Sequence, residues 1–483
     1  MAAKKSRKKA TRRPSKKKAR VSSSLEPDTS SSEDSFGIET TGRMIVTFVE
    51  SSRAGVKSAL SALKNRAGVS HVAHARDFGG AFSMAEAATG DALVFDELGI
   101  AVMTGSADQM SAMSSFSASS TENLIVEPEY INHAFQPSLD EDLPRGADPG
   151  EVVTPGPSSG QVPPLAYLCG YRDAIDGLVK HMSGGSAAGV ADVGTQASFQ
   201  DTASSTWGLK ATEVLSSPST GQGIRVAVLD TGFDQNHPDF ANRSVTTSSF
   251  ISGESVQDGN GHGTHCIGTS CGSRRPGLGP RYGVATGAEI FAGKVLSNAG
   301  SGGDASILAG INWAVQNGCE IVSMSLGRRV RPGERPQTNY ETAGRRALAA
   351  GTLIIAAAGN DSNRPFVTVP VSSPANAGAI AAVGALDRFL GIASFSNQGI
   401  NTSGGEVNLA GPGVDVHSSW PMPLRLRSIS GTSMATPHVA GVAALVAEES
   451  SSNRGLQLYL ELRRRARALP LPRADVGNGL VQA

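Results

Sequence analysis

Between residues 42 and 135 the spacing of apolar positions changes several times. RMIVTFVE (43–50) alternates with period two, as a half-buried strand does, and residues 54–66 carry apolar positions at helical spacing. Residues 92–104 read as a strand, 107–116 as a second helix, and NLIVEPEY (123–130) as a last strand. This order predicts a small α+β, ferredoxin-like domain over 42–135, a split βαβ sheet covered on one face by two helices. From about residue 205 to residue 483 the pattern is different. Short apolar runs (IRVAVLD, AEIFAGKVL, EIVSMSLG, TLIIAAAGN, AIAAVGAL) alternate with helical segments such as 305–316 and 340–350. Runs that are apolar throughout suit strands buried on both faces, so the expected fold is α/β, a doubly wound, mostly parallel sheet. Residues 1–41 have no hydrophobic period and are expected to be disordered. Residues 136–204 are rich in Pro, Gly, Ser and acid, and are expected to be a connector with one helix at 165–182.

Composition sharpens this picture. A chain of 483 residues is long enough for several domains and a large core, and its 57 glycines favour tight turns over coiled coil. The 43 basic and 43 acidic residues cancel in total, but the first 20 residues hold 11 Lys/Arg and no acid. The rest has 32 basic against 43 acidic residues, a net charge of −11. The basic tail reads either as a solubilising segment or as an attractor of nucleic acid; no aromatics are interleaved for base stacking. Cys169, Cys266, Cys271 and Cys319 form no CxxC pair and read as free thiols. No stretch approaches the roughly 18 apolar residues of a membrane span, so no transmembrane segment is expected. The basic start is followed by VSSSLEPDTSSSEDS rather than an apolar signal segment, which points to an intracellular protein.

Four polar positions fall at strand ends or helix starts of the second region. Asp230 ends the buried run IRVAVLD and precedes Thr231-Gly232, at the carboxyl edge of the predicted sheet, where ligands bind. By itself it reads equally well as structural. An aspartic protease needs two such carboxylates sharing a proton, and the chain has no second Asp-Thr-Gly or Asp-Ser-Gly. In DGNGHGTHCIGT (258–269), glycines let the backbone turn tightly around His262 at the start of a helix. His265 lacks the spacing and the glutamate of an HExxH zinc helix, and reads as structural. Cys266 is a candidate nucleophile or, more simply, a buried thiol beside the imidazole.

GTSMATPHVAG (431–441) puts Ser433 at a helix N-terminus, where free N–H groups and the positive dipole end favour a developing anion; the bland reading is an N-cap. Pro437 is expected in the first turn, where no intrahelical N–H is needed. Asn360, ending TLIIAAAGN, is either a turn residue or an amide donor to an oxyanion, together with the Ser433 N–H.

With these residues in view, residues 205–483 resemble the subtilisin-like serine proteases, the subtilase family. The blocks AVLDTG, HGTHCIGT, AAAGN and GTSMATPHVAG stand in the family's Asp, His, Asn, Ser order. The resemblance implies a serine endopeptidase with Ser433 as nucleophile, His262 as general base and acid, Asp230 as its orienting carboxylate and Asn360 as oxyanion donor. It implies that Gly300, Ser301 and Gly302 form one edge of a peptide-binding cleft, Ser325, Leu326 and Gly327 the other, and Ala357, Ala358 and Gly359 a wall of the primary specificity pocket, with the pocket floor within 367–373. Cys266 is similar to the cysteine of the proteinase-K-like branch.

The same resemblance implies protein or peptide substrates, no cofactor for catalysis, a monomer, and export. Asp239, in NHPDF, matches a calcium-ligand position of many subtilisins. The segment that should complete that site, 270–283, carries Arg274, Arg275 and Arg281 and no Asn or Asp, so structural calcium is a weak expectation. Residues 42–135 are similar to the family's propeptide, which implies an intramolecular inhibitor removed by self-processing after Phe135 or within 136–204. The alternative is a non-catalytic, protease-like binding protein tethered by its basic tail.

Overall fold

The computed structural model describes residues 32–33, 38–50, 53–78, 90–103, 108–109, 124–135 and 198–483. Most of the basic and Ser/acid-rich tail, nearly all of the expected helix over 107–116, and the greater part of the connector with its helix at 165–182 and Cys169 lie outside the described residues.

The first region contains β1 (Glu39–Phe48), α1 (Arg53–Ala67), β2 (Val72–His74), β3 (Ala92–Phe95), β4 (Ile100–Met103) and β5 (Leu124–Ala134). The single strand expected over 92–104 is instead a hairpin. Residues 96–99 reverse the chain, with Gly99 in the left-handed region at φ +52°, and β3 pairs antiparallel with β4. The spatial order β5-β1-β4-β3 puts the first strand in the middle, as the split βαβ pattern requires, with β2 added outside β3.

Period-two alternation sends successive side chains to opposite faces. Val46, Phe48, Val94, Ala101 and Met103 pack with Ala59 and Leu63 of α1. Ile45, Leu93, Phe95, Ile100 and Val102 point the other way, into a core shared with the second region.

The second region is built on seven parallel strands: β6 (Arg225–Asp230), β7 (Val245–Ser249), β8 (Glu289–Lys294), β10 (Ile321–Met324), β12 (Leu353–Ala357), β13 (Ala381–Leu386) and β14 (Leu409–Pro412), in the order β14-β13-β12-β10-β6-β8-β7. Every pairing within it is parallel. One face carries α2 (His262–Cys271) and α5 (Thr432–Glu449), which pack on Val226, Val228, Ile321 and Ile355. The other carries α3 (Asp304–Gln316) and α4 (Thr338–Ala349), packed on Ala227, Leu229, Met324 and Ala356. Burial on both faces is why these strands read as continuous apolar runs. β7 (VTTSS) and β14 (LAGP) gave no such run. The region also carries the hairpin β15 (Val416–Ser419) with β16 (Leu426–Ile429) and α6 (Gly455–Arg465).

The two regions share backbone hydrogen bonds. The far end of β5 runs antiparallel to two short strands of the second region, β9 (Ser301–Gly303) and β11 (Leu326–Gly327). Two acids of β5 also satisfy helix N-termini, whose first N–H groups have no intrahelical acceptor. Glu127 accepts from Thr338 N (2.8 Å) and Asn339 N (3.0 Å) at α4. Glu129 accepts from Ala305 N (2.9 Å) at α3 and is paired with Arg43. Among the described residues no helix is long and apolar enough to cross a membrane.

Candidate active site

β6 is flanked by β8 on one side and β10 on the other, so a crevice opens beyond its carboxyl end, and Asp230 is its last residue. Asp230 is buried; its Oδ1 accepts from Thr231 N (2.8 Å) and from Nδ1 of His262 (2.8 Å). A carboxylate on Nδ1 fixes the ring's proton there and leaves Nε2 as the free base nitrogen. Nε2 has no hydrogen-bond partner among the described residues. Burial on its own would lower the proton affinity of His262, but the charge and hydrogen bond of Asp230 outweigh it, so the imidazole titrates well above the ordinary 6.5.

His262 is held by the start of α2. Gly261 has φ +107°, and a Cβ there would lie 2.3 Å from the Trp420 ring, so only glycine fits. Gly261 is the N-cap, and the turn before it is braced by Asp258, which motif reading passed over. One of its oxygens accepts from Gly261 N (2.8 Å), Asn260 N (3.0 Å) and the Thr231 hydroxyl (2.9 Å). The other accepts from Thr264 N and its hydroxyl, both at 2.8 Å. One buried carboxylate thus ties the loop after Asp230 to the helix carrying His262. His265 bonds Val416 O through Nε2 (3.0 Å), and burial lowers its pKa to about 3, so it stays neutral.

Cys266 lies 3.9 Å from His262 Nδ1, and burial raises its pKa, so it is a protonated thiol and not an activated nucleophile. Asp230, His262 and Cys266 present potential metal-ligand atoms within 4.8 Å of one another. The Asp230 and His262 atoms are already joined by their own hydrogen bond.

Ser433 is the second residue of α5, after Gly431 and Thr432. Pro437 is inside this helix rather than in its first turn, and this corrects the expectation. A proline lacks the N–H that would bond the carbonyl four residues back, here that of Ser433. The Ser325 hydroxyl (2.8 Å) and the Cys266 thiol (3.6 Å) donate to that carbonyl instead. The proline therefore makes the turn that carries Ser433 depend on Ser325, beside β11.

Asn360 is oriented by Thr432, whose N–H (2.9 Å) and hydroxyl (2.7 Å) both donate to its Oδ1, leaving Nδ2 free to donate elsewhere. That donation goes to the carbonyl oxygen of Phe135 (3.1 Å), the residue after β5. Ser433 Oγ donates to the same oxygen (3.0 Å) and to Ser325 O (3.1 Å), rather than to His262. The donors on this carbonyl are thus the amide and the hydroxyl, where sequence reasoning paired the amide with the Ser433 N–H.

Both cleft edges hold the chain leading to Phe135. Ser301 pairs with His133 and Gly302 with Asn132 on one side; Leu326 pairs with Ala134 and Gly327 with His133 on the other. Ala134 N donates to Gly300 O (2.8 Å) and Phe135 N to Ser325 O (3.4 Å). A Cβ on Gly327 would lie 2.7 Å from Phe135 Cζ and 2.2 Å from Ser373 O, so the aromatic ring occupies the space of a missing side chain. Ala357 and Ala358 are buried, and Gly359 (φ +106°) packs on Ser372. The segment 367–373 reaches the cleft where Arg328 and Ser373 exchange backbone hydrogen bonds.

Asp239 does not fit a calcium ion. Its carboxylate accepts from Arg425 (2.7 Å), Tyr282 OH (2.7 Å) and Gly277 N (3.0 Å); burial raises its pKa, but these donors outweigh that and hold it low. The guanidinium occupies the place of the cation. Its source is Arg425, a residue distant in sequence, rather than the arginines of 270–283.

The second region is similar to known proteins. The profile of the Subtilase family matches residues 221–476. M-protease of Shouchella clausii (strain KSM-K16) is 41% identical over 265 residues, covering 55% of this chain and 64% of that protein. Subtilisin Savinase of Lederbergia lenta is 41% identical over the same length, covering 90% of it. The solved structure of Sphericase superposes with a TM-score of 0.50 at 32% identity, over 57% of this chain and 97% of that one.

The Pro437 arrangement gives a test. Ser325→Ala should lower stability by about 1 kcal/mol, because a buried carbonyl loses its hydroxyl donor. Combined with Pro437→Ala, which restores a helix N–H to that carbonyl, the same change should cost measurably less in denaturant unfolding. Strictly additive losses would refute the link.

Proposed function

Because the chain belongs to the Subtilase family, matched over residues 221–476, we propose that it is a serine endopeptidase made as a self-processing zymogen. The observation that carries this reading is the Phe135 carbonyl oxygen, held by the Asn360 amide at 3.1 Å and the Ser433 hydroxyl at 3.0 Å at the end of a strand lying in the cleft. A peptide carbonyl in that position is the group an acyl-transfer site acts on.

In this mechanism the Ser433 hydroxyl turns from the carbonyl oxygen to the bare Nε2 of His262, which takes its proton as Oγ attacks the Phe135 carbonyl carbon. Negative charge develops on the oxygen that Asn360 already contacts. His262 Nε2 then gives the proton to the departing amide nitrogen, and, once bare again, takes a proton from water as its oxygen attacks the acyl carbon, returning that proton to Ser433 Oγ as the acyl group leaves. Asp230 keeps the Nδ1 proton in place and stabilises the imidazolium between the two transfers. With the chain bound, Ser433 Oγ still donates to the Phe135 and Ser325 carbonyl oxygens, so its rotation onto Nε2 is the movement that begins the reaction. Residues 42–135 serve as template and inhibitor: β5 fills the cleft, and Glu127 and Glu129 hold α4 and α3. Other peptides bind by adding a strand between the same two edges.

A fluorophosphonate should label the self-processed protein on Ser433, and Ser433→Ala should abolish labelling and lower turnover about a million-fold, a magnitude taken from subtilisin itself. Labelling elsewhere, or near-normal peptidase activity in the variant, would sink the proposal. His262 must be unprotonated to act as base and its pKa is raised. The acid limb of kcat/KM should therefore lie above pH 6.5, with activity rising as pH rises through it. Asp230→Asn should move that limb to lower pH as well as slowing turnover; an unmoved limb would assign it to another group.

A further inference from the structure

We propose that a buried carboxylate, Asp304, selects the substrate residue four positions before the scissile bond for a hydrogen-bond-donating side chain of asparagine size, in preference to an aliphatic one. The proposal rests on reading Phe135 as the residue before that bond, which makes Asn132 the fourth.

Asn132 is completely buried, and its Nδ2 donates to Asp304 Oδ1 at 2.7 Å. Asp304 opens α3 directly after the edge strand β9, and its side chain is also fully buried. Its carboxylate has four partners, all donors. Tyr340 OH (2.8 Å) and Gln337 Nε2 (3.1 Å) belong to the enzyme body. The Tyr130 N–H (2.9 Å) and the Asn132 amide belong to the strand in the cleft. When that strand leaves, half of the hydrogen bonds on the carboxylate leave with it, and an incoming chain must restore them.

A backbone N–H at the position of Tyr130 is offered by nearly any peptide. The bond made by Asn132 is offered only by a donor side chain. Burial pushes the Asp304 carboxyl above the usual range, and the bonds from Tyr130, Tyr340 and Asn132 each oppose that push. An aliphatic side chain would bury the carboxylate again with one bond missing. An aspartate, with the shape of asparagine, would set one carboxylate against another. Asn132 Oδ1 has no partner, so recognition lies with the NH₂ end of the amide alone.

The test uses the full chain after self-processing and chromogenic peptides Tyr-Ile-Xaa-His-Ala-Phe, with Xaa as Asn, Leu or Asp, beside an acetyl-Phe ester that reaches no further than the first position. The Asn peptide should exceed the Leu peptide in kcat/KM by about tenfold or more, and the Asp peptide by about a hundredfold. Asp304→Leu should remove or reverse the Asn-over-Leu preference. Asp304→Asn, which keeps the shape, should weaken it even if the leucine variant fails to fold. Hydrolysis of the ester together with equal or better use of the Leu peptide by the unmodified protein would overturn the subsite while leaving the peptidase reading intact. Failure to process itself or to hydrolyse the ester would overturn that reading and the subsite with it.

Discussion

Residues 131–134 run between two strands, β9 pairing with 131–133 and β11 with 133 and 134, and the geometry of the site depends on that pairing from both sides. A strand paired on one side only can slip, and a slip of one residue would turn every side chain to the opposite face. Two edges, together with a glycine at 327 that leaves room for the Phe135 ring, fix the register to a single residue. The consequence is chemical: the carbonyl delivered to Asn360 and Ser433 is that of Phe135. The same pairing makes the small sheet continuous with the large region and lets Ile45, Leu93 and Val102 share one core with Leu308 and Ala343.

Asp230, His262, Asn360 and Ser433 are held in place by groups outside themselves. Asp258 binds the loop after Asp230 to the first turn of α2, and Thr432 holds the Asn360 amide with its donor end toward the cleft. Pro437 withholds a helix N–H from the Ser433 carbonyl, and Ser325 from the opposite cleft edge supplies the replacement. Each is a polar group satisfied across elements, so the site is bound to the meeting of several strands and helices rather than to one loop.

The chain order of Asp230, His262, Asn360 and Ser433 was legible because each stands where an apolar period stops or starts. The parallel sheet was legible because burial on both faces leaves unbroken apolar runs at β6, β8, β10, β12 and β13. β7 and β14 were missed because an edge strand such as VTTSS lacks that run. The hairpin at 92–104 was missed because both its strands are fully buried and the apolar run is broken by only four residues, Asp96 to Gly99, which form the turn. The first-turn placement of Pro437 failed because a tertiary donor, invisible in the sequence, replaces the missing N–H. The partner of Asp239 was hidden for a similar reason, since the guanidinium that pairs with it comes from Arg425, 186 residues on. Asp304 drew no notice because an acid in a first helical turn is ordinary, and only the arrival of Asn132 from a distant strand gives it a second role.

The most direct measurement is intact mass with N-terminal sequencing of the full chain as it matures, beside Ser433→Ala. Attack of Ser433 on the Phe135 carbonyl should give an N-terminal fragment ending at Phe135, a larger fragment beginning at Gln136, and an uncut Ser433→Ala chain. A first cut elsewhere in the unmodified chain, or the same cut in isolated Ser433→Ala, would contradict it.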